Sequence, residues 1–374
     1  MATTAKPGRP SQLDKPESYR RAGSPAFQSR AMTPEAQALR NCAPALPAAT
    51  LRFIQPGNAW PACPAPASAA QELAGGLLAA PARIAPKFFY DPLGCKLFEA
   101  ITALDEYYPT RTEAAIFSAA RSEMGRALRE AGLKHICLID LGAGNCAKAM
   151  ALMAHVKPRQ YVPVDISVEF LKDAATQVQQ HFPALDIVGV GLDFSAGLDL
   201  PEAVQADERV FFYPGSSLGN FSPEEALAFL RQIADPAHGR ARGLLLGIDL
   251  VKDSATLGAA YDDALGVTAA FNKNVLRHVN ALLGADFDAR RWRHVALFNA
   301  AQSRVEMHLQ ALCEQTVRWP EQTRRFLAGE RIHTENSYKY TVEGMTSLLG
   351  QAGFTQVRHW CDPQQWFAVF WAAV

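Results

Sequence analysis

The chain has 374 residues, and its 37 lysines and arginines equal its 37 aspartates and glutamates, so its formal net charge is zero. This length suffices for one large domain or two ordinary ones with a sizeable core. Because no net positive charge is present, we expect neither a nucleic acid nor an anionic membrane as a partner.

The cysteines and histidines argue against a metal centre or a disulfide framework. The seven cysteines are scattered without a CxxC pair, and the nine histidines show neither HxxxH nor HExxH spacing. No apolar run approaches the 18 residues of a membrane-spanning helix. We therefore predict reduced thiols, no metal, and a cytoplasmic protein, which we expect to be a monomer.

Residues 1–68 are rich in Pro, Ala, Ser and basic side chains, without a sustained apolar period. Such a segment buries too little apolar surface to offset the entropy cost of ordering it. The sequence therefore predicts a disordered tail over residues 1–68, with the folded part beginning at residue 69.

The first folded stretch is unusually aromatic. A helix is predicted over residues 69–80, and Thr112 with Glu113 is predicted to open a later one. Between them, Tyr90 stands before Asp-Pro and Tyr107 stands before Tyr-Pro, and both settings are typical of turns. A phenol in a turn can point its hydroxyl into a cleft, although aromatic side chains at this density also commonly form a core.

An apolar run over residues 135–141 leads into a glycine loop and reads as a buried strand. The loop carries the fingerprint Gly142-x-Gly144-x-x-Ala147, and a helix follows. A side chain at these glycines would block the turn and keep the backbone away from a bound nucleoside. Asp165 ends the next apolar run, where a carboxylate can accept both hydroxyls of a ribose. Together these features predict a site for an adenosine-type cofactor.

Strands and helices alternate after the loop, which predicts a parallel sheet with right-handed crossovers. Further strands are predicted over residues 187–190, 208–213 and 243–250. The last two runs, residues 354–361 and 366–373, are joined by DPQQ alone, and so short a link permits only an antiparallel pair. The predicted fold class is α/β and resembles the Rossmann-like class I methyltransferases that use S-adenosylmethionine, whose sheet is parallel with an antiparallel last strand.

Residues 251–340 form an insertion that is too long for a crossover. It combines a helical stretch with two alternating strands, residues 292–298 and 304–313. We therefore predict a second, α+β lobe over residues 251–340 that covers the strand ends and binds substrate. Residues 69–250 and 341–374 then form the cofactor-binding domain.

Several sequence blocks, which run from about Arg83 to the C-terminus, carry a family resemblance. They include FFYDPLG, EYYPTRTE, DLGAGN, VPVDIS, GLDF, GSSLGN, GIDLVKD and HTENSYKY. In content and order these blocks resemble the ergothioneine-pathway histidine Nα-methyltransferases. The resemblance implies S-adenosylmethionine as methyl donor and L-histidine as acceptor, with three transfers that give hercynine (Nα,Nα,Nα-trimethylhistidine) for ergothioneine biosynthesis.

The resemblance also implies a cofactor site. Its residues are Tyr90, Gly142, Lys148, Asp165, Asp193 and Phe194. Asp165 would bind the ribose, and Asp193 with Phe194 would bind the adenine. The chemistry agrees, because a carboxylate can accept from the exocyclic amine of adenine and a backbone amide can reach a ring nitrogen.

For the substrate, the resemblance implies a second set of residues. They are Tyr107, Gly215, Asn220, Tyr261, Met307, Glu335 and Ser337. The amide of Asn220 and the phenol of Tyr261 suit a carboxylate without adding charge. Glu335 and Ser337 lie two apart, on one side of an extended segment, and suit an imidazole that rests on Met307. The catalytic residues implied are Tyr90 and Tyr107, which would orient the α-amine with help from the carbonyl of Gly215.

Three other interpretations stay open at this point. A related fungal enzyme N-methylates a prenylated tryptophan, but Glu335 argues against so apolar an acceptor. A nicotinamide dehydrogenase fits the glycine fingerprint and Asp165, but it lacks a clear hydride-transfer acid and does not explain the antiparallel end. A non-catalytic binding module that kept the cofactor fold is the third.

Overall fold

In the computed structural model, residues 51–55 and 66–374 are described. The helices are α1 (Pro66–Leu78), α2 (Pro92–Thr102), α3 (Tyr108–Glu130), α4 (Ala147–Val156), α5 (Val168–His181), α6 (Pro223–Ala234), α7 (Ser254–Tyr261), α8 (Val267–Leu283) and α9 (Val342–Ala352). Short 3₁₀ turns occupy Pro86–Phe89, Ser217–Asn220 and Ala289–Arg291. Within the described residues, no helix is long and apolar enough to cross a membrane.

The strands form two main sheets and one hairpin. They are β1 (Leu51–Ile54), β2 (Ala82–Arg83), β3 (Cys137–Leu141), β4 (Gln160–Asp165), β5 (Asp186–Gly191), β6 (Arg209–Tyr213), β7 (Ala241–Asp249), β8 (Trp292–Asn299), β9 (Arg304–Ala311), β10 (Gln315–Trp319), β11 (Gln322–Phe326), β12 (Arg331–Tyr338), β13 (Gln356–Cys361) and β14 (Phe367–Ala373). The larger sheet runs in the order β1-β5-β4-β3-β6-β7-β14-β13.

The larger sheet is parallel from β1 to β7, and β14 then enters antiparallel to β7. The hairpin partner β13 pairs antiparallel with β14 and forms the outer edge. A turn as short as that between β13 and β14 cannot hold a crossover helix, so the chain must reverse direction there. The predicted fold class, a Rossmann-like sheet with an antiparallel end, is confirmed.

Helices cover both faces of this sheet, and for that reason its central strands are mostly apolar. All five residues of β3 are buried. Neighbouring side chains alternate between the layers: Ile139 packs in the layer that contains α6 and α9, and Leu138 packs in the layer that contains α3, α4 and α5. The carboxyl ends of the parallel strands therefore lie on one edge of the sheet, where a ligand site is expected.

The second lobe is an α+β unit that is larger than the predicted insertion. Its four-stranded sheet runs in the order β2-β12-β9-β8. Side chains from the N-terminal elements, including Leu73, Ile84 and Phe89, share a core with Phe271 and Met307 of the insertion. Residues 66–102 thus pack with the lobe, whereas the sequence assigned residues 69 onwards to the cofactor domain. The two-residue strand β2 is too short to show a period, and its partner β12 is far away in sequence.

Strand β1 and the beginning of α1 lie inside the segment that was predicted to be disordered, so the prediction is wrong for residues 51–54 and 66–68. Strand β1 pairs with β5, and Arg52 donates to Asp186, 134 positions away, at 2.8 Å. Gly189 of β5 makes room for this strand, because a Cβ at that position would lie only 2.3 Å from the ring of Phe53. Four residues are too few to show an alternating pattern. Residues 1–50 and 56–65 lie outside the described residues, and so does that part of the prediction.

Candidate active site

The glycine loop after β3 has the backbone conformation that its sequence requires. Gly142 and Gly144 have φ values of +68° and +53°, in the left-handed region that glycine adopts most easily. The amides of Gly142 and Ala143 donate to the carbonyl of Val164 at 2.9 and 3.2 Å, which closes the turn over the end of β4. The loop therefore brings its backbone to the carboxyl edge of the sheet, next to Asp165.

Asp165 holds this loop in place. Its carboxylate accepts from the amide of Gly144 at 3.0 Å and from the amide of Ser167 at 2.8 Å. Each oxygen keeps a further lone pair, so the group can still accept from the two hydroxyls of a ribose. Burial raises the pKa of Asp165 above its usual value, and the backbone amides oppose that rise.

Phe194 and Asp193 follow β5 and stand beside the loop. A Cβ built on Gly142 would lie 3.9 Å from the ring of Phe194, so this ring stands directly beside the glycine loop. Asp193 accepts from the ammonium of Lys87 at 2.9 Å and from the amide of Ser195 at 3.1 Å. An aromatic ring, an acceptor and a strand-end carboxylate fit the adenosine half of S-adenosylmethionine.

Lys148 is held by an acid that the sequence analysis did not assign. Its Nζ lies 2.6 Å from Glu113, whose side chain is 1% exposed. Glu113 also accepts from the amide of Gly215 at 2.8 Å, and Gly215 has a φ of +79°. Helix α3 begins at Tyr108, earlier than predicted, so Glu113 faces the protein interior within the helix. Glu113 lies three and four residues before Ile116 and Phe117, on the same face of the helix. This position could have indicated from the sequence that Glu113 is buried.

A cavity adjoins this row of residues, between the strand ends and the second lobe. It encloses about 600 Å³, including open solvent at its mouth. The predicted residues in its wall are Tyr90, Tyr107, Gly215, Asn220, Tyr261, Met307, Glu335 and Ser337. Phe98, Thr268, Phe271 and Asp249 also line it and were not predicted. Among the described residues, no group of three or more His, Cys, Asp or Glu side chains could hold a metal ion.

An irregularity in β12 turns two polar side chains into the cavity. The pairing of β12 with β9 shifts register between His333 and Glu335. Beyond that bulge, Glu335 pairs with Met307, and Ser337 lies on the same face as Glu335. Asn336 faces the other way, where its side chain bonds the ring of His333 at 2.9 Å. The structure therefore has the alternation that the sequence predicted for this segment.

Burial governs the titration of the cavity side chains. It raises the pKa of Glu335 to about 7, and the positive charge of Lys339 opposes that rise. Burial and the nearby Glu335 carboxylate hold the pKa of Tyr90 well above its usual value. Burial, Tyr261 and Glu335 do the same for Tyr107. Both phenols therefore stay protonated at neutral pH and interact through hydrogen bonds.

A charged network that the sequence analysis missed borders this cavity, and its Asp249 is part of the wall. The buried ammonium of Lys339 is 2.7 Å from one oxygen of Asp249, and the buried ammonium of Lys252 is 2.5 Å from the other. The hydroxyl of Tyr108 donates to the same carboxylate at 2.7 Å. All four residues fall in blocks named above, GIDLVKD, HTENSYKY and EYYPTRTE, but only the fold brings the blocks together.

The network reaches the cavity through two hydroxyls. Lys339 donates to Tyr261 at 3.0 Å and to Ser337 at 2.8 Å. The hydroxyl of Tyr261, which was predicted to face a substrate carboxylate, instead donates to Ser337 at 2.7 Å. Tyr261 thus lies in the cavity wall as predicted, while its polar atom points to the β12 side of the cavity.

Comparison with known proteins identifies the family of this chain. A family model described as histidine-specific, SAM-dependent methyltransferase matches residues 69–374. The histidine N-alpha-methyltransferase of Mycolicibacterium smegmatis is 39% identical over 299 residues, which are 78% of this chain and 91% of that protein. Ergothioneine biosynthesis protein 1 of Neurospora crassa is 30% identical over 75% of this chain and 32% of its own length. The 4-dimethylallyltryptophan N-methyltransferase of Arthroderma benhamiae is 25% identical over 78% of this chain and 90% of its own length. The chain belongs to the family of histidine-specific methyltransferases that use S-adenosylmethionine.

Proposed function

We propose that this protein transfers methyl groups from S-adenosylmethionine to the α-amine of L-histidine, three times, and gives hercynine for ergothioneine biosynthesis. Family membership supports the donor and the reaction. The observation that carries the acceptor is a cavity whose wall contains Glu335, Ser337, Met307 and Asn220 together.

The ring end of the cavity suits an imidazole. The carboxylate of Glu335 accepts a ring N–H, Ser337 meets the second ring nitrogen, and Met307 packs against the ring face. A phenyl side chain would leave the Glu335 carboxylate buried without a partner, at a cost of about 1–3 kcal/mol. The prenylated tryptophan named for the Arthroderma relative has an indole N–H for Glu335 but no second ring nitrogen for Ser337, so this end of the cavity favours histidine.

The backbone end of the cavity suits an amino acid. We assign the substrate carboxylate to the side-chain amide of Asn220, at the end of the 3₁₀ turn after β6. Tyr261 then acts on the ring end through Ser337, because its hydroxyl donates there. The carbonyl of Gly215, at the start of the same loop, is available to accept from the α-amine.

Tyr90 and Tyr107 stand where the two ligands meet. The carbonyl of Tyr90 accepts from Ser167 at 2.9 Å, beside Asp165, and the cavity wall includes its side chain. Oxygens of protonated phenols can accept from the α-amine, and aromatic faces favour an ammonium that gains methyl groups. Holding the nitrogen lone pair in line with the S–CH₃ bond supplies most of the acceleration.

Bound S-adenosylmethionine supplies a methyl group on a positively charged sulfur, a good leaving group. In each transfer an N–C bond forms and the S–CH₃ bond breaks. The α-ammonium of histidine loses one proton to water before the first transfer, and the methylated nitrogen loses one more before the second transfer and one before the third. The α-amine titrates within about one unit or two of neutral pH, so water suffices as the base. The third product carries no N–H, and the reaction stops there.

The deciding experiment is mass spectrometry of the purified protein with L-histidine and excess S-adenosylmethionine. Three successive additions of one methyl are expected, with no methylation of L-tryptophan or 4-dimethylallyltryptophan under the same conditions. Turnover of a tryptophan substrate without turnover of histidine would refute the acceptor assignment. Binding of the donor by calorimetry without any turnover would instead identify a non-catalytic binding module.

A further inference from the structure

We propose that Lys339 is a positioning residue that makes Ser337 a hydrogen-bond donor, so that the cavity selects an imidazole ring with one N–H and one bare nitrogen. Nothing in the predicted site included Lys339. The inference deepens the proposed function and rests on it, because it concerns how the same cavity recognises the ring of the acceptor.

The ammonium of Lys339 uses all of its N–H groups inside the protein. Its side chain is 0% exposed. Its three contacts are Asp249 at 2.7 Å, Ser337 at 2.8 Å and Tyr261 at 3.0 Å. An ammonium has three N–H groups and accepts nothing, so these three contacts use all of its donors. Its orientation is therefore determined by the two hydroxyls and the carboxylate around it.

This arrangement fixes the direction of the Ser337 hydroxyl. The oxygen of Ser337 accepts from Lys339 at 2.8 Å and from the hydroxyl of Tyr261 at 2.7 Å. A hydroxyl oxygen has two lone pairs, and both are now occupied. Only the hydrogen of Ser337 remains free, and Ser337 lines the cavity. Toward a ligand, Ser337 can therefore donate and cannot accept.

Glu335 supplies the hydrogen-bond acceptor that complements the Ser337 donor. Its carboxylate lines the same cavity, two residues away on the same strand, and an ionised carboxylate can only accept. A neutral imidazole has one N–H for Glu335 and one bare nitrogen for Ser337. An imidazolium ion has no bare nitrogen, and a pyrrole or indole has none either, so each would leave the Ser337 hydrogen without a partner.

Asp249 explains how a charged lysine persists in this position. It pairs with both Lys339 and Lys252, so the three groups together carry one net positive charge. An ionised Glu335 balances that charge across the cavity wall. Lys252 contacts Asp249, Tyr108 and the carbonyl of Leu250 but neither cavity hydroxyl. It is therefore a matched control: a buried lysine on the same carboxylate without a contact to Ser337.

The test compares Lys339→Met with Lys252→Met on three acceptors. These are L-histidine and the two pyrrolylalanines, 2-yl and 3-yl, in which one ring nitrogen is replaced by C–H. The wild-type protein should prefer histidine over the better pyrrole isomer by at least about ten-fold in kcat/KM. Lys339→Met should reduce that preference to within about two-fold, because Ser337 regains a free lone pair and can turn away. Lys252→Met should keep the wild-type preference for histidine.

The outcomes separate this inference from the proposed function. Absence of histidine methylation by the wild-type protein would refute the proposed function itself. If the wild-type protein methylates histidine and Lys339→Met retains the full preference, or loses it only as much as Lys252→Met does, the positioning role of Lys339 is overturned. Should Lys339→Met not fold, Ser337→Ala decides: its preference must fall to the same level, and an unchanged preference would overturn the inference.

Discussion

At the scale of single residues, the proposed function assigns one partly buried carboxylate to each ligand. Asp165 accepts from the amides of Gly144 and Ser167 at the end of β4, where we propose that the cofactor binds. Glu335 lies on β12 of the second lobe, in the wall of the cavity. Because the two side chains come from different parts of the fold, their contributions to the two ligands can be measured separately.

Replacing Glu335 with Ala should raise the KM for histidine about ten-fold or more and leave the KM for S-adenosylmethionine within about two-fold, since only the ring loses its acceptor. Asp165→Ala should raise the KM for S-adenosylmethionine about ten-fold or more and leave the KM for histidine within about two-fold. Initial-rate kinetics with each ligand varied in turn measure both constants. Equal changes in the two constants for Glu335→Ala would remove Glu335 from the histidine pocket.

The raised pKa of Glu335 also predicts how stability depends on pH. Burial raises this pKa from 4.5 to about 7 in the folded chain, so the folded form holds its proton more tightly than the unfolded form. The stability contribution is complete below the unfolded pKa and is lost as pH rises through about 7. Between about pH 5 and pH 8, Glu335→Gln should therefore gain stability relative to wild type by up to about 3 kcal/mol.

Urea denaturation of the ligand-free proteins at a series of pH values measures this difference. Asp140, whose pKa burial also raises to about 7, is present in both proteins and cancels in the comparison. Stability curves that stay parallel across this pH range would show that Glu335 does not titrate as the structure indicates.

At the scale of elements, the second lobe depends on contacts between segments that are distant in sequence. Asp91 is the clearest example, because it caps α2 by accepting from the amide of Gly94 at 2.7 Å. The same oxygen accepts from Asn274 of α8, also at 2.7 Å. One carboxylate thus joins the N-terminal part of the lobe to the inserted part and stands next to Tyr90 in the cavity wall.

Replacing Asp91 with Ala should lower the free energy of unfolding by about 1–3 kcal/mol, since both the helix cap and the contact between helices are lost. Asn274→Ala, which keeps the cap, should cost about 1 kcal/mol. Chemical denaturation compares the two variants with the wild-type protein. Equal losses would mean that the cap itself contributes nothing measurable.

At the scale of the whole molecule, strand β1 completes the edge of the larger sheet. Its Phe53 ring covers Gly189, and its Arg52 pairs with Asp186. Without β1, the backbone of β5 would become an exposed edge, which favours aggregation. The segment before the folded core therefore belongs to the sheet in part, and the domain begins earlier in the chain than its composition indicated.

A chain that starts at residue 56 should be less stable than one that starts at residue 51, by about 2–3 kcal/mol, because the burial of Phe53 and its neighbours is lost. Phe53→Ala in the longer chain should account for most of the difference. Calorimetry gives the melting temperatures, and light scattering reports aggregation of the shorter chain. Equal melting temperatures for the two chains would contradict a stabilising role for β1.

Much of the architecture follows from local sequence features. The five-residue link before β14 forces the antiparallel end, Gly142 and Gly144 set the loop, and alternation in β12 turns Glu335 and Ser337 to one side. These features depend on chain geometry over a few residues, so the sequence by itself determined them. The family resemblance added the cavity residues, which the fold brings together.

Only the tertiary structure decided which charges meet. Glu113 contacts Lys148 and Gly215, and Lys339 contacts Asp249, although these partners lie far apart in the chain. Pairing between buried charges has no period and no fixed spacing, so no pattern along the chain could indicate it. The same holds for β1, because four residues acquire their conformation from the hydrogen bonds of a distant strand and not from their own side chains.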